Sequence, residues 1–514
     1  MHPDSRPSIA IVGSGFSGIG LAIRLTRAGC ADVTIFEKAG DLGGVWRDNT
    51  YPGAACDAPS HLYSYSFEPN PGWSRRYAEQ PEILSYLRRC ATRNGVIGRI
   101  RYGTDITHAE FDAGRARWIL RTATGSEHTA DILVAACGQL SRPARPAVPG
   151  LDGVFAGTVF HSAEWDHDHD LRGRTVAVIG NGASAVQLVP HVAAQARKLT
   201  VFQRQSHWIS PKPDRLYPTS RKILNRRFPL VQRLSRLGVF LCFELVLNPM
   251  LVSRRGRRVL SWPLRMLCRH NIRNGVHSGL VDVLTPDYEI GCKRILQSND
   301  YHQSLNRPNV RLRTSPIKEI SRDAVITADG RHHPVDTIIL ATGFRSHDFV
   351  APMRVTGLGG QDLNTAWQHR PRAHLGLTVP GFPNFFLMYG PNTNVGSGSI
   401  VHMLESQMNY IADAAGIVAS GGYLDLRPEV LDRFDTVTQQ QLSTTVWNTG
   451  GCDSWYLAGG PDGSPVNTNN WPGSMTGYRR RTRRLDLGDY HFVPARQSTP
   501  SRTGRRDGPE AADQ

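Results

Sequence analysis

Two glycine-rich segments of this chain have the residue types and spacing of turns that bind nucleotide phosphates. The first is Gly13-Ser14-Gly15-Phe16-Ser17-Gly18, after an apolar run at residues 9–12, and the second is Gly180-Asn181-Gly182-Ala183-Ser184-Ala185, after residues 175–179. In such turns the first glycine makes a tight bend, the second lets a pyrophosphate approach the backbone, and the third position lets a helix pack closely on a strand. The sequence therefore predicts two dinucleotide sites.

The residue at the end of the next predicted strand differs between the two segments. Glu37 lies 24 residues after Gly13, and Arg204 lies 24 residues after Gly180. A carboxylate accepts hydrogen bonds from ribose hydroxyls and repels a 2′-phosphate, whereas a guanidinium attracts one. We therefore expect FAD or NAD at the first site and NADP at the second. A solvated charge at a strand end is the alternative for Arg204.

A second repeated pattern supports the duplication. Residues 131–138 and 336–343 share Asp-x-x-x-x-Ala-x-Gly around an apolar run, and the glycine would permit close approach to a nucleotide. The pattern predicts an α/β fold of two Rossmann-like dinucleotide-binding domains, the second nested in the first, with a helical insert. Architectures of this kind usually carry FAD first and NADPH second. The absence of Cys-x-x-Cys argues against a disulfide reductase.

Two further segments carry a resemblance to a known family. Residues 44–57 have the spacing Gly44-x-Trp46-x-x-x-x-Tyr51-Pro52-Gly53-x-x-x-Asp57, and residues 155–166 have Phe155-x-Gly157-x-x-x-His161-x-x-x-Trp165-Asp166. With both glycine motifs, about the first 400 residues resemble type I Baeyer–Villiger monooxygenases, which are single-chain, FAD-containing and NADPH-dependent. Related flavin monooxygenases that oxidise nitrogen or sulfur carry Phe or Tyr in place of the tryptophan. Trp165 therefore favours ketone chemistry.

The resemblance implies a reaction and its catalytic residues. Reduced flavin and O₂ give a C4a-peroxyflavin, whose anion attacks a ketone carbonyl so that an ester or lactone forms. Keeping that anion requires a fixed cation in a dry site. The family's Gly-x-Lys-Arg segment places the cation at Arg294, with Asp57 as its partner and Lys293 near the NADP phosphate. A structural ion pair is the alternative for Arg294, and a turn or cap role is the alternative for Asp57.

The resemblance also implies a coupling role for the segment between the two nucleotide domains. In the family this linker couples NADP binding to domain movement, and a simple hydrogen bond is the alternative for its histidine. The linker residues are Phe155, Gly157, His161, Trp165 and Asp166. The residues expected to bind the cofactors FAD and NADPH are Gly13, Gly15, Phe16, Gly18, Glu37, Gly44, Trp46, Asp57, Tyr63, Gly180, Gly182, Ala183, Ser184, Arg204, Lys293, Thr342, Gly343 and Asn392.

Positive charge is concentrated in two segments of this chain of 514 residues, whose net charge is +16. Residues 204–274 hold sixteen Lys and Arg against two acids, and residues 479–506 hold nine Arg against two. Apolar residues interleave with the first set, which predicts amphipathic helices. A solvated basic face, contact with an anionic membrane surface or acidic carrier, and nucleic-acid binding are the alternatives. No aromatic platform or zinc spacing supports nucleic-acid binding.

Composition excludes several classes of protein. Hydrophobic residues are 40% and charged residues 20% of the chain, which excludes a disordered or fibrous protein. The polar N-terminus lacks the apolar region of a signal peptide, and the longest mainly apolar stretch, residues 238–252, is too short to span a bilayer. The eight cysteines, no two closer than 24 residues, form no zinc or redox motif. We therefore expect reduced cysteines, no metal site and a cytoplasmic enzyme.

The sequence thus predicts an NADPH-dependent, FAD-containing monooxygenase that acts with O₂ on a small-molecule substrate, a large or hydrophobic ketone, and binds no nucleic acid. An N- or S-oxygenating enzyme on the same scaffold is the alternative, followed by an oxidase that releases peroxide and a non-catalytic nucleic-acid-binding protein. Peripheral membrane contact through the basic insert is a further expectation. The predicted domains are 1–145 and 346–494 for FAD, 146–210 (with the linker) and 285–345 for NADP, 211–284 for the basic helical insert, and 495–514 for a disordered tail.

Overall fold

Two parallel β-sheets form the centre of the protein. They are seen in a computed structural model, which describes residues 7–367, 370–459 and 465–494. The tail predicted at 495–514 lies outside the described residues. The strands in chain order are β1 (Ile9–Val12), β2 (Val33–Phe36), β3 (Ile100–Arg101), β4 (Ile106–Asp112), β5 (Arg117–Thr122), β6 (Glu127–Ala130), β7 (Ile132–Ala135), β8 (Thr158–His161), β9 (Thr175–Ile179), β10 (Lys198–Phe202), β11 (Ile209–Ser210), β12 (Leu296–Gln297), β13 (Val310–Arg313), β14 (Ile317–Ile320), β15 (Ala324–Thr327), β16 (His332–Pro334), β17 (Thr337–Leu340), β18 (Arg354–Thr356), β19 (Phe385–Leu387), β20 (Tyr423–Leu426), β21 (Leu457–Gly459), β22 (Pro465–Asn467) and β23 (Tyr490–Val493).

Helices cover these sheets and form a separate helical segment. In chain order they are α1 (Phe16–Arg27), α2 (Val45–Asp48), α3 (Gln80–Arg93), α4 (Ala183–Gln195), α5 (Thr219–Arg227), α6 (Pro229–Cys242), α7 (Asn248–Val252), α8 (Arg254–Gly275), α9 (Ser278–Leu284), α10 (Tyr301–Leu305), α11 (Leu363–Trp367), α12 (Ile400–Val418), α13 (Pro428–Leu442), α14 (Val446–Thr449) and α15 (Met475–Arg481). A π-helical turn, Phe243–Leu247, joins α6 to α7.

The two central sheets have equivalent strand orders. The first is β19-β7-β1-β2-β3 and the second, written in the same direction, is β8-β17-β9-β10-β13. All neighbouring pairs are parallel, and the inner strands β1, β7, β9 and β17 are short, mainly apolar runs buried on both faces. Each glycine-rich turn follows the central strand of its sheet. The duplication predicted from the glycine spacing is therefore confirmed by the topology.

The repeated Asp-x-x-x-x-Ala-x-Gly pattern has the same structural use in both sheets. The backbone N–H of Ser8 donates to Asp131 Oδ2 at 2.7 Å, and that of Thr175 donates to Asp336 Oδ2 at 3.0 Å. Each aspartate thus ties the start of the central strand to the strand beside it. The alanine in the pattern lies against the first glycine of its turn, because that glycine leaves room for the alanine carbonyl.

The second sheet is nested within the first domain. Four strands of the first sheet precede β8, and β19 joins that sheet only after β17 has completed the other one. The later helix α12 returns to α1, where the side chain of Met408 fills the space beside Gly20. The predicted α/β fold with two dinucleotide-binding units is therefore confirmed.

The helical segment α5 to α9 lies between the short paired strands β11 and β12. Its apolar part is longer than the sequence indicated, since residues 229–252 form one helical stretch of 24 residues, which contains an 18-residue window with mean hydropathy 1.5. By length and composition this stretch is sufficient to cross a membrane, yet only 17% of its apolar window is buried in the protein. Glu244 and Pro249 do not interrupt the stretch: Glu244 lies in the π-helical turn, and Pro249 lies in the first turn of α7, where proline is tolerated.

Candidate active site

The first glycine-rich turn is shaped for close backbone contact. Gly13 has φ +107°, which disfavours any other residue, and a Cβ at Gly18 would lie only 1.9 Å from the Gly13 carbonyl oxygen. Helix α1 begins after Gly15 without a side chain to cap its first N–H groups. Gly44 lies beside this helix start, since a Cβ at Gly44 would be 3.2 Å from Gly15 Cα. The uncapped donors are available to an anion.

Glu37 is held as a buried carboxylate at the end of β2. It accepts hydrogen bonds from the backbone N–H and the hydroxyl of Ser14, at 3.0 and 2.7 Å, and from Ala39 N–H at 3.0 Å. Arg47 Nη1 lies 3.0 Å from Glu37 Oε1, the oxygen that also accepts from Ala39. Burial alone would raise the pKa of Glu37, but these hydrogen bonds and Arg47 hold it below its ordinary value. The negative charge is therefore kept at the place where a ribose would bind.

Three aromatic rings pack beside the start of α1. Trp46 Nε1 donates to the hydroxyl of Tyr63 at 3.0 Å, and the rings of Phe16 and Tyr63 meet edge to face with centroids 5.1 Å apart. This contact joins two of the predicted cofactor-binding residues, Trp46 and Tyr63, to the glycine-rich turn.

The second glycine-rich turn is more open than the first. Gly180 has φ +112°, and a Cβ there would lie 2.3 Å from the Ala341 carbonyl oxygen, whereas nothing lies within 4 Å of a Cβ at Gly182. Helix α4, which begins at Ala183 and Ser184, has no side-chain cap either. The turn therefore has uncapped donors and adjacent open space.

Two cations meet beside the second turn. Arg204 follows β10 and is exposed, and no ion pair to it forms within residues 7–367, 370–459 and 465–494. Lys293 Nζ donates to Gln205 Oε1, and Asn181 Nδ2 donates to the Gln205 backbone carbonyl at 2.9 Å. Burial and the nearby Arg204 lower the pKa of Lys293, although Asp453 opposes this. Gln205 was not predicted; its position next to Arg204 was the only signal for it.

Asp57 and Arg294 form a two-pronged ion pair. Arg294 Nε donates to Asp57 Oδ2 at 2.6 Å, and Nη2 donates to Oδ1 at 2.9 Å. About a third of each side chain is exposed, 31% for Asp57 and 32% for Arg294. The Asp57 carboxylate raises the pKa of Arg294, and Arg294 in turn holds the pKa of Asp57 below its ordinary value against the opposing effect of burial. Both groups therefore stay charged.

Two tyrosines that were not among the predicted site residues lie close to this pair: Tyr456 is buried and Tyr389 is partly buried. Removal from water raises the pKa of both Tyr389 and Tyr456, and the positive charge of Arg294 opposes that rise. The pKa of Tyr456 is raised to about 12. Tyr389 OH donates to Asn394 Oδ1 at 3.0 Å. The Tyr456 hydroxyl is buried without a hydrogen-bond partner among the described parts of the chain. Tyr456 lies in a segment with no motif, so sequence reasoning had no signal for it.

A disulfide bond joins the arginine segment to the tyrosine segment. Cys292, which precedes Lys293 and Arg294, is bonded to Cys452, four residues before Tyr456. The expectation of reduced cysteines was therefore wrong for this pair. It rested on sequence spacing, and the two partners are 160 residues apart, where spacing carries no information.

We expect loss of this disulfide to destabilise the protein without removing its cofactor. Because the bond closes a long loop, Cys452→Ser should lower the free energy of unfolding by about 2–4 kcal/mol. Thermal unfolding of the flavin-loaded protein measures the change, with the exposed free cysteine variant Cys242→Ser as the matched control. Equal unfolding midpoints for Cys452→Ser and the unaltered protein, or two free thiols in a non-reducing peptide map, would contradict the pairing.

The loop that carries Asp57 is fixed against α4. Tyr51 OH donates to Gln187 Oε1 at 2.9 Å, and Gln187 Nε2 donates to the Ala55 carbonyl at 2.9 Å. A Cβ at Gly53 would lie 2.6 Å from His191 Nε2, so only glycine permits this approach. The loop that carries Asp57, which the sequence predicts to lie at the FAD site, thus contacts α4, the helix that follows the second glycine-rich turn. Gln187 was not predicted.

The linker histidine is buried at the end of β8. His161 Nδ1 accepts from the Ala163 N–H at 3.1 Å, and burial lowers the pKa of His161 to about 4. Its ring lies 5.7 Å from that of Phe344, next to Gly343. Of the other linker residues, Trp165 packs on Phe160 with ring centroids 5.2 Å apart.

The remaining linker residues serve local packing. A Cβ at Gly157 would lie 2.3 Å from the Asp336 carbonyl oxygen, and Phe155 packs beside the same glycine. Asp166 Oδ1 accepts from the Asp168 N–H at 3.0 Å. These contacts hold the linker against the edge of the second sheet.

Thr342, Gly343 and Asn392 lie in connecting segments rather than in the turns. Thr342 Oγ1 donates to the Ala144 carbonyl, and Gly343 has φ +82°. Asn392 Nδ2 donates to the backbone carbonyls of Asn467 and Asn470, at 2.9 and 3.1 Å. Its amide hydrogens are therefore used to hold the segment that follows β22.

The chain is similar over nearly its whole length to proteins of one kind. Residues 10–236 match the family described as pyridine nucleotide-disulphide oxidoreductase, and this range includes both glycine-rich turns. The chain is 40% identical over 502 residues to a Baeyer-Villiger monooxygenase of Streptomyces coelicolor, an alignment that covers 97% of this chain and 94% of that protein. The structure is similar to oxidized steroid monooxygenase bound to NADP, with TM-score 0.81, 30% identity and coverage of 95% and 99% of the two chains. A complex of OTEMO with FAD and NADP gives TM-score 0.81 at 25% identity with the same coverage, 95% and 99%.

Proposed function

Since the chain belongs to the Baeyer–Villiger monooxygenases, we propose that its own substrate is a hydrophobic ketone, converted to an ester or lactone, and that Arg294 and Asp57 carry the chemistry. The protein is a flavin-dependent monooxygenase that uses FAD, NADPH and O₂ on a small molecule. Heteroatom oxidation, the alternative considered from the sequence, receives no support from these relatives.

The residues at the two turns fit their cofactors. Both α1 and α4 start at glycine with uncapped N–H groups, as a pyrophosphate requires. FAD would lie on the first turn with its ribose at Glu37, and NADP would lie on the second with its 2′-phosphate at Arg204 and Lys293. When bound, the flavin accepts hydride from NADPH and then activates O₂, so that one oxygen atom is delivered to the ketone.

The observation that carries the catalytic proposal is the two-pronged Arg294–Asp57 pair. Oxygen insertion places negative charge on oxygen atoms at the reacting carbonyl, and a fixed cation in a dry site stabilises that charge. Arg294 is permanently protonated, and Asp57 fixes the plane of its guanidinium from the side. Asp57 is thus a positioning residue. Tyr456, buried beside the pair, and the partly buried Tyr389 would limit the access of water to it.

His161 is better suited to coupling than to proton transfer. With a pKa of about 4 it is neutral near pH 7, and it contacts the Gly343 segment of the second sheet. We propose that the linker residues Phe155, Gly157, His161, Trp165 and Asp166 transmit NADP binding to the flavin domain. We also propose that the domain boundaries lie at residues 146, 211, 285 and 346, as the sequence predicts, and that the domains move relative to one another at these boundaries when NADP binds.

The hydrophobic character of the ketone is inferred from what packs against the Arg294 segment. Gly291 lies against the side chains of Leu251, Met250 and Val446, and a Cβ there would meet Leu251 Cδ2 at 2.5 Å. The helical insert thus reaches the catalytic segment with apolar side chains. These side chains form a packed apolar core beside the segment that carries Arg294, and an apolar surrounding at this place favours an apolar substrate.

We further propose that the protein works at the cytoplasmic surface of a membrane. The +14 net charge of residues 204–274 complements the anionic lipids of the cytoplasmic leaflet, and a hydrophobic ketone would partition into the same bilayer.

Product analysis tests the proposed reaction. The flavin-loaded enzyme is supplied with NADPH, O₂ and matched panels of ketones and sulfides, and the products are identified by mass spectrometry. We expect esters or lactones that are 16 mass units heavier than the ketones, with little hydrogen peroxide per NADPH consumed. Oxidation of sulfides with no ketone accepted would contradict the proposal, and so would stoichiometric hydrogen peroxide with every substrate.

A further inference from the structure

Helix α6 turns Gln232 and Arg236 toward the protein. Gln232 Nε2 donates to the Asn70 carbonyl at 2.8 Å, and Arg236 Nη1 donates to the carbonyls of His61 and Ser64 at 2.9 and 2.8 Å. Two residues past the end of α6, Glu244 accepts from two backbone N–H groups at the start of α15, at 3.1 and 2.9 Å. The inward face of this helical stretch is therefore fixed by hydrogen bonds rather than by an apolar core.

The opposite face of the same stretch is apolar and exposed. Five leucines at spacings of four, three, four and four residues share it, a period that keeps them in one row along a helix. Their exposed fractions run from 41% to 65%. The row extends about 22 Å, from the helical rise of 1.5 Å per residue. It consists of Leu230, Leu234, Leu237, Leu241 and Leu245, called here the leucine row.

Basic residues surround the leucine row. Arg226 and Arg227 precede it, and Arg233 lies exposed within the same helix. The following helix α8 has its own exposed apolar residues, Val259 at 70% and Trp262 at 59%. Apolar side chains flanked by arginine, and an exposed tryptophan in another helix of the same segment, are the composition of helices that lie in a membrane interface.

We propose that the leucine row docks on the surface of an anionic membrane, with α6 lying parallel to the bilayer plane. A second copy of the chain is a poorer occupant, because face-to-face contact would bring together two segments that each carry +14. Spanning the bilayer is excluded by the contacts of Gln232, Arg236 and Glu244, which such an insertion would break. The docking rests on the membrane location proposed above and names the surface that makes the contact, but it does not depend on the ketone chemistry.

Vesicle co-sedimentation of the flavin-loaded protein tests the docking. Vesicles of phosphatidylcholine with phosphatidylglycerol are compared with pure phosphatidylcholine vesicles. We expect binding to the mixed vesicles only, and at least a tenfold weaker partition for the double variant Leu234→Glu, Leu241→Glu. The matched control is Val154→Glu, Leu487→Glu, two apolar residues that are equally exposed elsewhere. Bound flavin absorbance and the unfolding midpoint show that each variant is folded.

A variant that removes positive charge separates the electrostatic part of the membrane interaction from the apolar part. Arg226→Gln, Arg227→Gln, Arg233→Gln should lower partition by at least tenfold at low salt, whereas Arg115→Gln, Arg172→Gln, Arg331→Gln should not. Equal vesicle binding by the leucine variant and the unaltered protein would overturn the proposal. So would a dimer, seen by analytical ultracentrifugation, that the leucine variant converts to monomer. Neither readout uses a ketone, so failure here is distinguishable from failure of the proposed reaction.

Discussion

Replacing Arg294 with alanine is expected to abolish ester formation while FAD stays bound and NADPH still reduces it. The substitution removes the cation that faces the developing negative charge, and loss of one such donor costs on the order of 10²–10³ in rate. The hydride step uses the second nucleotide turn instead, so its rate should change little. Anaerobic flavin reduction is followed by absorbance, and ester formation by gas chromatography of the same preparation.

Two further variants make this result specific. Arg294→Lys keeps a positive charge but cannot make both hydrogen bonds to Asp57, so we expect activity between those of alanine and arginine. Arg257→Ala removes another arginine held nearby, whose Nε lies 3.2 Å from Glu289, and should leave ester formation unchanged. Ester formation retained in Arg294→Ala would remove Arg294 from the mechanism. Loss of bound flavin in Arg294→Ala, restored in Arg294→Lys, would show that the pair is structural.

The parts of the fold that sequence predicted depend on local geometry. The backbone has a positive φ at Gly13 and Gly180, and this conformation requires glycine. Asp131 and Asp336 each accept a hydrogen bond from a backbone N–H at the start of a neighbouring strand. Such requirements recur at fixed offsets, so they can be recognised twice in one chain. Because both patterns could be recognised twice, their order along the chain also predicted that the second domain is nested in the first.

The parts that sequence missed depend on contacts between distant segments. Arg294 and Asp57 are 237 residues apart, and only a family resemblance brought them together. The Cys292–Cys452 bond and the position of Tyr456 had no such support. Periodicity did predict an amphipathic α6, but it could not say that the polar side faces inward. That orientation is decided by backbone carbonyls near His61, which offer partners to Arg236.

Replacing Arg204 with glutamine is expected to remove most of the preference for NADPH over NADH. Arg204 is exposed next to the open second turn, where a 2′-phosphate would form charge-assisted hydrogen bonds. Losing them should lower the efficiency of flavin reduction by NADPH by about 10- to 100-fold, as the cost of such bonds implies. Reduction by NADH, which lacks that phosphate, should be unchanged. Stopped-flow absorbance with each coenzyme under anaerobic conditions measures both.

The neighbouring Lys293 explains why the loss should be incomplete. Lys293 lies close enough to Arg204 for the two charges to interact, so its ammonium group remains near the 2′-phosphate when Arg204 is removed. The double variant Arg204→Gln, Lys293→Gln should therefore lose more preference than either single one. Arg197→Gln is the control, because Arg197 donates to Thr175 at the amino end of β9, whereas Arg204 follows the carboxyl end of the neighbouring strand β10. An unchanged NADPH preference in Arg204→Gln would place 2′-phosphate recognition at other residues.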